Sequence, residues 1–282
     1  MRKLRFLGVL FGLYFGSTAF AQELYVYTEP ASNMPAKSIG VRLSTDWMDN
    51  VGLKNRSSAE LMVGVNKNLM LHAQGYFSNI NQSYAPEGGS FYAKVRVLSI
   101  DEIQSHFRAA VFAKAAYSKQ SNFTHNINLD GGNSGWQSGL VLTQLIHKLA
   151  VSATVSYSQE FDKLGEKYSA VNFVGTEIDL SKTKKAFNYS LSSGYLLLPF
   201  VYKDYNQPNF NLYLELLGQS NKDLNASYLD LAPAVQFILN SRTRIDLGYR
   251  FELNNKNMTR DNKNMFLARV EFNFFNALSK TK

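Results

Sequence analysis

The chain has 282 residues, with 30 Lys and Arg against 22 Asp and Glu. It has no Cys, which excludes disulfide scaffolds, thiolate zinc sites and thiol nucleophiles. A hydrophobic fraction of 45% excludes disorder, 6 Pro exclude a collagenous chain, and the length allows one large domain or two ordinary ones.

Residues 1–21 read as a cleaved secretory signal peptide. Met1 to Arg5 is basic, Phe6 to Phe15 is apolar, and Ala19-Phe20-Ala21 is a small-residue cleavage site before Gln22. Arg2, Lys3 and Arg5 leave with it, so part of the formal charge of +8 is targeting. The remaining cations are dispersed among acids, which gives no basis for a nucleic-acid partner. Residues 22–37, with Pro30 and Pro35, lack alternation and form an extended N-terminal arm. The arm either folds into an interior as a small plug or hangs free.

From residue 38 a period of two takes over. Ile245, Leu247, Tyr249, Phe251 and Leu253 alternate with Arg244, Asp246, Gly248, Arg250 and Glu252, and Phe266 to Phe274 repeats the pattern. Neighbouring side chains of a strand face opposite sides, so each such segment has one apolar and one polar face. About twelve strands follow, near 38–48, 58–66, 69–79, 90–99, 106–117, 136–146, 149–159, 186–199, 208–218, 226–240, 243–253 and 264–275. The joints near 66–68, 100–106, 146–148, 200–207 and 240–242 are short to moderate. They alternate with longer polar loops at 49–57, 80–89, 118–135, 160–185, 219–225 and 254–263. Residues 276–282 form a tail.

The apolar phase, including Leu43, Leu61, Val95, Val97, Val111, Leu140, Leu142, Leu212, Leu214, Leu231 and Phe237, carries almost no charge. Ser99, Ser138, Gln144 and Ser193 are its polar exceptions, and Pro233 predicts a bulge or bend in its strand. The same phase places an aromatic girdle toward the long loops: Trp47, Phe77, Phe91, Tyr117, Trp136, Tyr157, Phe187 and Phe251.

The polar phase supplies candidate lumen-lining residues: Arg42, Asp46, Glu60, His72, Lys94, Arg96, Arg108, Lys114, Glu215, Asp230, Arg244, Asp246, Arg250, Glu252, Arg269 and Glu271, with Lys148 and Glu160 beside them. Their signs nearly balance. Such an interior is either a water-filled path that orients polar solutes or a core in which Arg and carboxylate neutralise one another. On the last two strands, opposite charges fall side by side, as expected of ladder pairs that fix register.

An even number of strands, sorted loop lengths and one apolar face resemble bacterial outer-membrane β-barrel proteins of about twelve strands, over residues 38–275. Phe272-Asn273-Phe274-Phe275 is similar to the C-terminal assembly signal of that class, although seven residues follow it and Arg269 stands near its usual glycine. The Asn-rich, cysteine-free style is compatible with the Bacteroidota. The resemblance implies an all-β fold, a transmembrane antiparallel up-and-down barrel with short periplasmic turns and long extracellular loops. It also implies an outer-membrane location, contact with outer-membrane lipid and with the barrel-assembly machinery, and a porin-like role for small polar or charged solutes. The alternatives are a closed structural barrel that binds a partner through its loops and a lipid-modifying barrel enzyme.

No catalytic constellation accompanies the pattern. The barrel phospholipase class places a His and a Ser two apart on a strand, whereas His72-Ala-Gln, His106-Phe-Arg, His125-Asn-Ile and His147-Lys-Leu depart from it. The Asp-His dipeptide of barrel proteases is missing. Asn126-Ile-Asn128-Leu-Asp130-Gly131 echoes a calcium loop, but its first position is neutral and Gln137 stands where a bidentate Glu is required, so an easily turning loop explains it better. No metal or other cofactor is expected.

Overall fold

The computed structural model describes residues 25–50, 52–80, 83–120, 124–161, 169–171, 177–179, 184–200, 206–260 and 263–279. The expected signal peptide, the first residues of the arm, most of loop 160–185 and the end of the tail lie outside the described residues.

The strands are β1 (Ser38–Asn50), β2 (Gly52–Gly64), β3 (Leu69–Ser78), β4 (Ala85–Glu102), β5 (Ser105–Ser118), β6 (Gly135–Ile146) and β7 (Leu149–Glu160). Two three-residue strands, β8 (Ser169–Val171) and β9 (Glu177–Asp179), follow. The rest are β10 (Lys185–Leu198), β11 (Asn209–Asn221), β12 (Ala226–Leu239), β13 (Thr243–Lys256) and β14 (Met265–Phe274). All but β8 and β9 join one closed barrel of antiparallel neighbours; β8 and β9 pair only with each other, in a region read from sequence as loop. Closure runs through β1 and β14, from Ile39↔Phe274 to Met48↔Met265.

Burial is inverted relative to a water-soluble protein. Lys94, Glu215, Asp230 and Asp246 are each 0% exposed, while Leu43 is 50%, Leu61 48% and Leu191 50% exposed. The apolar residues form a continuous outer belt, far larger than the patches a soluble monomer shows to water, and its fitting solvent is hydrocarbon. The eight girdle aromatics are outward and exposed or half-buried. A second set, not anticipated from sequence, rings the short-turn end: Tyr195, Phe210, Phe237, Phe272 and Phe274, with the Phe210 and Phe237 rings 4.8 Å apart.

Several expected loops are strand instead. Pairing between β1 and β2 continues to Asn50↔Gly52, so most of the expected loop 49–57 belongs to the ladder. Likewise β4 begins at Ala85, β11 ends at Asn221 and β13 runs to Lys256. Beyond the apolar belt both faces of a strand meet polar surroundings, so alternation fades although the hydrogen-bond ladder does not. At the opposite end the joints are tight. Asn240 and Ser241 both take positive φ in a turn closed by Arg242 N–H to Leu239 C=O at 3.0 Å, the twist-matched hairpin geometry.

Bulges adjust two assignments. A register shift between Arg96 and Leu98 reverses the phase, so Ser99 pairs with Arg108 and leaves the outer set in which it was counted. In β12 the shift lies between Leu229 and Asp230, upstream of Pro233. At Pro233 itself the β12–β13 pairing steps from Leu231↔Phe251 to Ala234↔Gly248 with the register unchanged. The proline interrupts the ladder without displacing it.

An Arg at Leu140, which faces outward between Val111 and Val155, is expected to lower stability by about 2–4 kcal/mol. Arg at the inward neighbour Gln137 is expected to cost much less. Urea unfolding in lipid vesicles measures both, and a reversed order would contradict the inverted packing.

Candidate functional site

Two segments fold into the barrel and leave a chamber between them. The lower one is the N-terminal arm. It passes over the end of β2 at Gly64, where Lys37 N–H meets Gly64 C=O at 2.6 Å; a Cβ on Gly64 would lie 2.2 Å from the Pro35 carbonyl, so only glycine permits the crossing. Inside, the wall holds the arm largely by its backbone. Glu215 accepts hydrogen bonds from Val26 N–H (2.8 Å), Tyr27 N–H (2.8 Å) and Thr28 Oγ1 (2.7 Å). Arg269 donates to the carbonyls of Val26 (2.7 Å) and Tyr25 (3.0 Å). Lys94 donates to those of Pro30 (2.6 Å) and Ser32 (2.8 Å), and Thr143 accepts Ala31 N–H at 2.9 Å. Arg108 reaches the Ser32 hydroxyl at 2.8 Å. The Tyr25 and Val26 side chains pack with Leu145, Ala150, Tyr213, Ala234 and Leu267, an apolar patch on the otherwise polar inner face.

The upper segment is the loop between β5 and β6. The side-chain amide of Gln219 brackets Ile127, accepting its N–H and donating to its carbonyl, both at 2.9 Å. His125 N–H donates to Thr259 C=O at 2.9 Å. Ile127 and Leu129 pack with Ala116 and Ala186. Gly131, at φ +91°, fits under Glu87 and Arg56, where a Cβ would lie 2.6 Å from a Glu87 carboxylate oxygen. Asp130 is held by Lys114 and accepts from the Tyr76 hydroxyl at 3.1 Å. Enclosure raises the pKa of the Asp130 carboxyl, but Lys114 and Tyr76 lower it by more, so it sits below its ordinary value. The segment that echoed a calcium loop is thus a roof. Among the described residues no group of three His, Asp or Glu is placed to hold a metal.

Between arm and loop lies a cavity of about 400 Å³. Its walls include Arg42, Asp46, Arg56, Glu60, His72, Arg250 and Arg269, opposite a hydroxyl and amide face of Gln137, Thr154, Ser156, Ser158, Asn188 and Ser190, with Lys114 beside Gln137. The ionic groups form linked sets. Glu271 takes Arg42 at 2.9 Å and also Arg244; Arg42 continues to Glu60 (3.0 Å) and to Glu29 of the arm (2.9 Å), and Glu60 meets His72 at 2.5 Å. Asp246 pairs with Arg269 at 2.5 Å. Asp230 takes Arg250 at 2.6 Å and a second guanidinium, Arg260, which also reaches Glu252 at 2.9 Å. Arg56 meets Glu87 at 2.5 Å.

The candidate lumen residues therefore separate by neighbourhood. Glu215, Lys94, Arg108 and Arg269 hold the arm. Arg42, Asp46, Glu60, His72, Lys114, Arg250 and Arg269 border the cavity. Arg244, Asp246, Asp230, Glu252 and Glu271 stand behind them as counter-charges. Arg96, half-buried, shares the phase of Lys94 just before the bulge. Lys148 instead caps the Pro199 and Phe200 carbonyls, at 2.9 and 3.0 Å. Sequence reasoning missed Glu29, Glu87 and Arg260, which lie off the regular alternation, and Gln219. The signal for the arm's seat was present: Leu145 and Leu267 are apolar residues in a polar phase.

No protein-family model matches the chain, and a search of curated proteins finds no match. Among solved structures, an outer membrane channel from Pseudomonas putida F1 is similar, with a TM-score of 0.56 at 14% identity, covering 89% of this chain and 100% of the other. The NanC porin (TM-score 0.49, 12% identity, 84% and 98% coverage) and the KdgM porin (0.47, 8%, 83% and 99%) are similar at lower scores. The chain has the outer-membrane β-barrel fold.

Replacing Glu215 by Ala removes the acceptor for three arm donors. Hydrogen exchange at the Val26 and Tyr27 amides is expected to accelerate by about a hundredfold, given that hydrogen bonds to charged groups contribute about 1.5–3 kcal/mol each. Glu215→Gln, which keeps one acceptor oxygen, is expected to fall between; unchanged exchange in both would show that the carboxylate does not hold the arm.

Proposed function

We propose that the protein is an outer-membrane channel for small polar or charged solutes, and that the arm and the roof loop gate it. The carrying observation is the chamber itself: a polar space of about 400 Å³ inside a closed barrel, bounded by two segments bonded to the wall rather than by wall side chains alone. A barrel that served only as a scaffold has no need of such a space. The apolar belt fits outer-membrane lipid, and the chain would reach it through the barrel-assembly machinery after loss of its signal peptide. The reading assigns no catalytic step and no cofactor.

A second reading is favoured by the number of charged wall groups bonded to the arm. Hydrogen bonds to charged groups contribute about 1.5–3 kcal/mol each, so the arm could be a permanent part of a closed barrel that acts through its loops.

Planar-bilayer conductance separates the two. The intact protein is expected to conduct weakly, and deletion of residues 25–34 to raise the single-channel conductance severalfold. Barrels that fold, by their heat-dependent gel shift, yet stay silent after the deletion would favour the closed scaffold.

A further inference from the structure

We infer that the chamber binds a small hydroxylated organic monocation, of the amino-sugar or amino-alcohol class, with Asp46 receiving its ammonium group. The inference names a substrate class for the proposed channel and rests on that reading for the ligand's way in.

It starts from charge pairing within the chamber. Of the carboxylates that line it, Glu29 and Glu60 meet Arg42, and Asp130 meets Lys114. Asp46 differs: among the described residues it has no hydrogen bond or ion pair, and its Oδ1 is buried without a donor. The charges that act on it most are Asp130, Arg56, Arg250 and Arg269. Each is already engaged: Arg56 with Glu87, Arg250 with Asp230 and Arg269 with Asp246. The chamber thus presents one carboxyl group that no described residue engages. A carboxylate enclosed in this way is costly unless a cation meets it.

The chemistry of the remaining lining selects among cations. A hard divalent ion needs several charged oxygens, and Asp46 has no second carboxylate free to join it. An ammonium carries three donors and needs one anionic acceptor plus neutral ones. The Tyr27 hydroxyl is such a neutral group: it is buried, unpartnered and within electrostatic reach of Asp46. The opposite wall offers the Thr154 and Ser190 hydroxyls, beside a set in which Gln137 and Asn188 donate to Ser156, and such a face suits a solute bearing hydroxyl groups. The volume lies within the roughly 300–1,000 Å³ typical of small-ligand sites.

Glucosamine and glucose differ by the ammonium group and serve as probes. In titrations of the refolded mature protein in detergent micelles, glucosamine is expected to bind at least about tenfold more tightly than glucose, as befits a charge-assisted hydrogen bond. Asp46→Asn is expected to abolish that preference. Tyr27→Phe, in the arm and outside the barrel ladder, is expected to weaken glucosamine while preserving some preference. Equal binding of the two sugars by the wild-type protein, displacement of glucosamine by equimolar potassium chloride, or a preference that survives in folded Asp46→Asn would each overturn the inference. Conductance after arm deletion without a glucosamine preference would sink the site and leave the channel reading standing. A glucosamine preference in a barrel that stays silent after arm deletion would do the reverse.

Discussion

The structure depends on one constraint: in hydrocarbon, a strand's backbone N–H and C=O groups must find partners within the protein, so the sheet must have no edge. The seam between β1 and β14 meets it, with ten consecutive residue pairs from Ile39↔Phe274 to Met48↔Met265. The arm and the tail gather at the foot of this seam, where Leu278 N–H donates to Lys37 C=O at 3.0 Å. Closure also dictates composition. Once every second side chain faces lipid, the others face inward, and this chain fills that space with charge.

Charge in a confined interior must be compensated group by group. The solution here is a set of shared counter-ions rather than isolated pairs: Glu271 and Asp230 each serve two guanidinium groups, and Arg42 serves three carboxylates. Such sets are weak evidence for added stability, since removing two charges from water costs nearly what their attraction returns. They do fix geometry. The arm is held by the same means, with Glu215 taking amide N–H groups and Arg269 and Lys94 taking carbonyls. Because these contacts go to the backbone, the wall specifies where the arm lies more than the arm's own side chains do.

How much of this was legible follows from where alternation survives. Between the belts, Ile245 to Leu253 and Phe266 to Phe274 announced their faces directly, and the ladder pairs Arg244–Glu271 and Asp246–Arg269 followed from register. Past the belts the signal was lost, so Asn50 and Gly52 read as loop although they pair. A bulge defeats parity altogether, as at Ser99. The chamber was not legible because its floor and roof come from segments without periodicity. A seat for them was written into the wall, in Leu145 and Leu267, but a lone apolar residue in a polar phase has meaning only once a partner segment is known. Asp46 was legible as inward-facing; that its neighbouring arginines turn away to Glu87, Asp230 and Asp246 required the three-dimensional arrangement.

Floor and roof are not equivalent closures. Charged wall groups grip the arm: Glu215 with three bonds, Arg269 and Lys94 with two each, all in buried surroundings. The roof draws on neutral bonds from Gln219, a backbone contact between His125 and Thr259, bonds from Asn133 to Glu160 and from Gln120 to Glu87, and an ion pair to Asp130, whose side chain is 65% exposed and therefore screened. Hydrogen bonds to charged groups contribute more than neutral ones, and Glu215, Arg269 and Lys94 give the arm seven of them, so the arm is the more firmly tied of the two closures. Thermal opening is then expected first at the long-loop end, with the arm as a stop beneath. If the barrel is the channel proposed above, a chamber that opens on the loop side while its floor holds would load a solute before any continuous path exists. The unpaired Asp46 lies between the two closures, where such a solute would wait.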